Sequence, residues 1–198
     1  MQKIVVASNN AGKFREIRSI LEPFGFETLS QKQVGYELDV EETGTTFQEN
    51  AAIKAQAVFD ALHCAVIADD SGLVVDALDG APGIYSHRFA GADATDAQRN
   101  NKLLEMLKDM PTEKRMARFI CAICYMDENG KQHFFEGKCE GIIGTQLRGE
   151  NGFGYDPLFY VGGKSMAEYS TAEKNQMSHR AEALRQLEKY LERSFSIC

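Results

Sequence analysis

Two short apolar runs break off abruptly into small, polar or acidic residues, and this pattern constrains the fold more than any other feature. Between Lys3 and Ser8 the chain reads Ile4-Val5-Val6-Ala7 and then turns to Asn9-Asn10-Ala11-Gly12. Further on, Ala65-Val66-Ile67-Ala68 gives way to Asp69-Asp70-Ser71-Gly72. An uninterrupted run rich in β-branched residues suits a strand buried on both faces, as parallel strands are. Asparagine and glycine tolerate the tight or left-handed backbone of a turn. After the first turn Phe14, Ile17, Leu21 and Phe24 recur at helical spacing, so the chain opens strand, turn, helix.

The rest of the chain alternates in the same way. Thr46-Phe47-Gln48-Glu49 has the form of a capping box, and Phe47, Ala51, Ala55, Val58 and Leu62 make the apolar stripe of the helix behind it. The strand at Ala65–Ala68 is expected to end at the two aspartates, with Leu73-Val74-Val75 resuming as a strand. Gly80 to Gly91, with Pro82, reads as a loop. Thr95 and Gln98 announce a second capped helix reaching Met110, and Pro111 stops it. Arg118–Tyr125 and Gln132–Ile143 flank Asn129-Gly130, the strongest short hairpin signal. The glycine-rich loop Gly149–Asp156 leads into Pro157–Val161, and a last helix starts near Ser178 and runs past Leu184, Leu187 and Leu191. The expected class is α/β: buried strands covered by helices, with a hairpin extending the sheet. A chain of 198 residues, 43% of them hydrophobic, can bury its own core, so one domain over residues 1–198 is expected.

Charge and cysteine usage narrow the function. A net charge of −7 makes the chain a poor partner for nucleic acid polymers, which are bound through many lysine and arginine contacts. It can still bind a small anion where basic groups converge. No apolar run is long enough to span a membrane, and the N-terminal run is too short for a signal peptide, so a cytoplasmic location is expected. Five cysteines (Cys64, Cys121, Cys124, Cys139 and Cys198) form no disulfide pattern. Cys121 and Cys124 have C-x-x-C spacing, but on a strand such residues point to opposite faces and cannot grip one metal.

Chemistry would sit just beyond the carboxyl ends of the strands. The turn from Ser8 through Lys13 opens a helix, whose N-terminus attracts anions; a plain strand–helix connection looks the same, and no Walker pattern is present. Asp69 and Asp70 abut a buried strand, where a carboxylate is costly unless paired, hydrogen-bonded or metal-bound. They are expected to diverge into different roles. Glu41 and Glu42 precede the capped helix, and magnesium takes one or two carboxylates plus phosphate and water. Lys54 falls at the edge of an apolar stripe, from which it either snorkels to water or reaches a phosphate. Phe153 among glycines, together with Lys174, His179 and Arg180, would suit a nucleobase through stacking and edge hydrogen bonds.

Assembled, these runs resemble the inosine triphosphate pyrophosphatase family, which acts on noncanonical purine triphosphates. The matching runs are SNNAGKFREI from Ser8, EETGTTFQENAAIKA from Glu41, ADDSGLVVDAL from Ala68, GAPGIYSHRFAG from Gly80, GFGYDPLF from Gly152 and AEKNQMSHRAEAL from Ala172. The resemblance implies an elongated α/β fold with a long mixed sheet, two lobes and a cleft between them, and a homodimer. It implies hydrolysis of ITP, dITP, XTP or dXTP to the monophosphate and pyrophosphate, with Mg2+. It assigns phosphate contacts to Ser8, Asn9, Asn10, Ala11, Gly12 and Lys13, and a substrate contact to Ser71. Asp70 becomes the general base, and Glu41 with Asp70 the magnesium site. Phe153, Gly154, Tyr155, Asp156, Lys174, His179 and Arg180 form the base and sugar pocket. The competing expectations are a related pyrophosphatase preferring pyrimidine or other modified triphosphates, and a non-catalytic nucleotide sensor.

Overall fold

A computed structural model of the protein describes residues 2–36 and 39–195; Cys198 lies outside the described residues. In chain order the elements are β1 (Gln2–Val6), α1 (Ala11–Leu21), β2 (Phe26–Ser30), α2 (Phe47–Leu62), β3 (Val66–Val75) and α3 (Asp96–Met106). The hairpin strands β4 (Met116–Met126) and β5 (Gln132–Ile143) follow, then β6 (Phe159–Val161), β7 (Lys164–Ser165), α4 (Thr171–Met177) and α5 (His179–Phe195). The strands form one mixed seven-stranded sheet in the order β2-β1-β3-β4-β5-β6-β7. β1 runs parallel to both β2 and β3, whereas β6 is antiparallel to β5 and β7. The α/β class is therefore as the sequence indicates.

The chain divides into two compact units. The first comprises Met1–Asp70, Cys121–Gly137 and His179–Cys198. In it the two-residue period of the strands sorts side chains into two cores. Ile4, Val6, Ile67, Cys121 and Ile123 meet Ile17 and Leu21 of α1 and Leu184, Leu187 and Leu191 of α5. Val5, Ala7, Val66, Ala68, Cys124 and Met126 meet Ala51, Ala55 and Val58 of α2. Cys121 and Cys124 thus lie on opposite faces, both buried. The second unit, Ser71–Ile120 with Lys138–Ser178, packs Leu73 and Val75 of β3 against Leu103 and Leu107, Phe119, Ile143, Leu158 and Phe159. Among the described residues no helix is long and apolar enough to cross a membrane.

Local departures from the expected pattern have physical causes. β3 does not break at the aspartates; it runs unbroken from Val66 to Val75 with Asp69 and Asp70 in its middle. Each carboxylate has basic partners there, described below, which removes the reason for the strand to stop. α3 has its full capping box at Thr95 and Gln98 but ends at Met106, not Met110, as the backbone tightens from there to bonds three residues back: Leu107 N–H to Leu104, Lys108 N–H to Glu105 and Met110 N–H to Leu107. At α2 the Thr46 hydroxyl caps Glu49 N–H, while the Glu49 carboxylate reaches back to Thr45 instead of Thr46. The strand β2 and the short helix α4, capped by Ser170 and Glu173, had no counterpart in the sequence pattern.

Candidate active site

The turn after β1 is built by Asn10, whose backbone is extended and whose Oδ1 accepts from Gly12 N–H (2.8 Å) and Lys13 N–H (3.0 Å). Ser8 Oγ accepts from Asn10 N–H at 3.2 Å, and Asn9 Oδ1 accepts from Gln31 Nε2 at 3.1 Å. The donors expected to face an anion are thus largely taken up inside the turn. The positive end of the α1 dipole remains at Ala11, and the charged group delivered by the turn is the Lys13 ammonium.

Lys13 Nζ lies 2.7 Å from Asp69 Oδ1. Asp69 sits on the β3 face shared with Ile67, toward α1 and α5, and is almost fully buried. Its Oδ2 accepts from Arg180 at 3.0 Å and from the Cys121 thiol at 3.4 Å. Arg180, at the start of α5 and also buried, holds Glu16 of α1 with its other arm. Burial alone would raise the Asp69 pKa, but Arg180, Lys13 and Lys54 outweigh it and hold the carboxyl well below its usual range. The same carboxylates push Arg180 upward against its own burial. This is a buried Glu–Arg–Asp–Lys chain in which each charge has a partner, the condition under which buried charge is tolerated.

Asp70, one residue on, faces the α2 side. Its Oδ1 is 3.1 Å from Lys54 Nζ and its Oδ2 is 3.3 Å from Asn50 Nδ2. Lys54 Nζ is also 2.7 Å from Glu42 Oε1. Asn50, fully buried, accepts from Gly44 N–H at 2.8 Å and so ties the acidic loop to Asp70. A Cβ at Gly44 would fall 2.7 Å from Asn50 Oδ1, so no side chain fits there. Burial raises the Asp70 pKa, with Glu42 adding to it and Lys54 and Lys13 opposing. Burial would lower Lys54, but Asp70, Glu42 and Asp69 overcome it and raise the lysine. Lys54 therefore does not simply snorkel to water: it is the shared counter-ion of two carboxylates. Glu41 is exposed, while its neighbour Glu42 makes the contact.

The second unit contains the aromatic loop. Asp156 Oδ2 accepts from Phe153 N–H (2.9 Å) and from Lys174 Nζ (2.6 Å), and both charged groups are buried. The Lys174 ammonium also lies 4.9 Å from the centroid of the Phe153 ring, a cation–π distance. Gly152 has a φ of +79°, and a Cβ there would fall 2.1 Å from Asp156 Oδ2. Tyr155 is buried, with its hydroxyl donating to the Ser86 carbonyl at 2.9 Å. Ser71 directly follows Asp70 in β3 and belongs to this second unit, whereas His179 and Arg180 belong to the first. His179 is buried at the first turn of α5.

Within the first unit, then, Lys13 and Arg180 meet at Asp69, and Lys54 meets Asp70. Within the second, Phe153, Asp156 and Lys174 meet one another. The sequence pattern did not single out Asn50 or Glu16 as site residues. A buried polar residue on an apolar helix stripe was the available signal for Asn50; Glu16 carried none.

The Ham1 family model matches residues 4–190. A dITP/XTP pyrophosphatase of Listeria monocytogenes is 49% identical over 193 residues, covering 96% of this chain and 95% of the relative. A dITP/XTP pyrophosphatase of Bacillus cereus is 50% identical over 192 residues, covering 95% and 94%. Among solved structures, a HAM1 protein from Coxiella burnetii superposes with a TM-score of 0.87 at 43% identity, covering 98% of this chain and all (100%) of that one. The Staphylococcus aureus Ham1 protein gives 0.85 at 42% identity with the same coverage. With a matching family model over nearly its whole length and relatives at about half identity, this chain belongs to the Ham1 family.

Proposed function

We propose that this protein is a nucleoside triphosphate pyrophosphatase that hydrolyses ITP, dITP, XTP and dXTP to the monophosphate and pyrophosphate. The observation that carries this reading is Asp70, a carboxylate in mid-strand held by Lys54 and Asn50. The names of the relatives, dITP/XTP pyrophosphatases, support the same chemistry and substrate class.

In this reading Asp70 accepts a proton from water as the water oxygen bonds to the α-phosphorus. The bond from that phosphorus to the bridging oxygen of the β-phosphate breaks, and pyrophosphate leaves with the bond's electron pair. Such chemistry is served mainly by positioning and by charge stabilisation. Lys54 and Lys13 would bind the phosphates, beside the positive end of α1 that Ser8 and the turn Asn9–Gly12 shape. To do so Lys13 would exchange or share its contact with Asp69, a move of the ammonium alone. Glu42 and Asp70 converge on one ammonium, and such an oxygen donor pair suits a hard cation. Asp70 with Glu42, and Glu41 exposed beside it, would hold Mg2+, which when bound offsets the charge on the triphosphate oxygens.

Phe153 would stack on the base, with Lys174, Asp156 and Ser71 toward the base and sugar. A donor on His179 facing a 6-oxo group would be left unpaired by the amino group of adenine, and that loss discriminates strongly; the Arg180 guanidinium beside it is already committed to Asp69 and Glu16. We also infer one functional domain over residues 1–198, a homodimer, and a cytoplasmic site of action, where the nucleotide pool is.

The test is pyrophosphate release from ITP, dITP, XTP, dXTP, ATP, GTP and dUTP, each with and without Mg2+. ITP and XTP should be turned over and ATP barely touched. Orthophosphate and a diphosphate as the main products would sink the reading. Preference for a pyrimidine would move the protein to a different substrate class, and binding without turnover would make it a sensor.

A further inference from the structure

The second unit contains a clamp on a single peptide of the aromatic loop. Asp96 and Asn100 stand four residues apart on α3, and so on one face of the helix. Asp96 Oδ2 accepts from Gly154 N–H at 2.8 Å, and Asn100 Nδ2 donates to the Gly154 carbonyl at 2.9 Å. Both backbone hydrogen-bonding groups of Gly154 are therefore taken by one helix face. The clamp is itself braced. Arg99 bonds Asp96 and also donates to the carbonyls of His87 (2.8 Å) and Ala94 (2.5 Å).

Asn100 adds an independent sign. It is 3% exposed, and among the described residues its Oδ1 has no hydrogen-bond partner. A buried acceptor left unsatisfied is unfavourable, and an apolar residue would avoid it. What the position gains from asparagine is the donor to Gly154. Gly154 in turn lies between Phe153, whose ring is covered on one side by Lys174, and Tyr155, whose hydroxyl is tied to Ser86. Fixing the Gly154 peptide fixes the direction in which the Phe153 ring is presented.

We propose that Asp96 and Asn100 are positioning residues for base recognition: they set the Gly154 peptide and, through it, the place and tilt of the Phe153 ring. This rests on the reading above that Phe153 stacks on the purine. In that reading neither residue is assigned to the phosphates or the reacting atoms. Their loss should therefore appear in the affinity for the base-bearing substrate and not in the chemical step.

The experiment compares Asp96→Ala, Asp96→Asn, Asn100→Ala and Asn100→Asp with Phe153→Ala, measuring kcat and KM for ITP and inhibition by pyrophosphate alone. The clamp variants should raise KM about 10-fold, in line with the loss of one fixed hydrogen bond, with kcat and pyrophosphate inhibition little changed. Asp96→Asn keeps an acceptor for Gly154 and should be the mildest; Asn100→Asp sets an oxygen against the Gly154 carbonyl and should be the worst. In the unaltered protein the Gly154 amide should be protected from hydrogen exchange, and in folded Asp96→Ala it should exchange freely. An unprotected Gly154 amide in the unaltered protein overturns the proposal whatever the variants do. If Phe153→Ala raises KM while folded clamp variants with a freed Gly154 amide do not, the clamp has no part in recognition. If Phe153→Ala leaves KM unchanged, the base-pocket reading fails and the proposal falls with it.

Discussion

The Lys54 ammonium lies 3.1 Å from Oδ1 of Asp70, and the same nitrogen holds Glu42 at 2.7 Å. One cation thus offsets two carboxylates at the edge of an otherwise apolar helix stripe. Removing it as Lys54→Ala leaves Asp70 and Glu42 facing each other without a counter-ion. Turnover of ITP should fall by about 10²-fold, the order seen when one charge-stabilising donor is lost from an active site. Steady-state kinetics with the fold checked by circular dichroism decides this, and unchanged kinetics would show that the lysine has no part in catalysis.

The adjacent aspartates should fail in different ways. Asp70→Asn keeps shape but removes the proton acceptor, and general-base catalysis is worth about 10²–10⁴-fold. Turnover should drop by at least about 10²-fold while thermal stability holds, because the carboxylate there is already penalised by burial. Asp69→Asn instead leaves Arg180 and Lys13 short of their common anion in the interior. Breaking a buried pair costs about 3–5 kcal/mol, so this variant should melt roughly 10 °C lower or more. Melting curves and rates for both variants separate the roles; a stable, inactive Asp69→Asn with an active Asp70→Asn would reverse them.

These roles were only partly legible in the sequence. The strand–turn–helix opening, the α2 and α3 caps and the hairpin at Asn129-Gly130 follow from local periodicity and turn chemistry, and they stand in the structure. The break expected in β3 does not occur, since the partners that make Asp69 and Asp70 tolerable, Arg180 and Lys54, lie far away in sequence. The pattern of Phe26–Ser30 is too short to register as a strand without the β1 edge it pairs with. In the acidic loop local sequence does not tell which carboxylate meets Lys54, and the structure gives that contact to Glu42.

That reach yields a direct comparison. Glu42 contacts Lys54, and Glu41 is exposed. If the pair Glu42–Asp70 serves a divalent cation, Glu42→Gln should raise the Mg2+ concentration needed for half-maximal turnover by roughly 10-fold or more, the scale of losing a group that matters to a metal site. Glu41→Gln should shift it far less. Magnesium titrations of both variants supply the check, and a larger shift for Glu41→Gln would return the metal-binding role to that residue.

The clamp on the aromatic loop also makes a prediction about acid. Burial acts to raise the Asp96 pKa, but the Gly154 N–H and Arg99 outweigh it and hold the carboxyl below its ordinary value of 3.8. The folded protein therefore binds the Asp96 proton less readily than the unfolded chain does. A group shifted in this direction contributes stability that is complete above the unfolded pKa and disappears as pH falls through the folded one. Asp96→Asn keeps an acceptor for Gly154 but carries no charge to lose. The stability gap between the unaltered protein and Asp96→Asn should thus be full at neutral pH and shrink steadily as pH falls through and below the ordinary carboxyl value of 3.8. Urea midpoints measured for both proteins across the range in which both stay folded test this. A gap that stays constant on acidification would mean that the ionised carboxylate is not what secures Gly154.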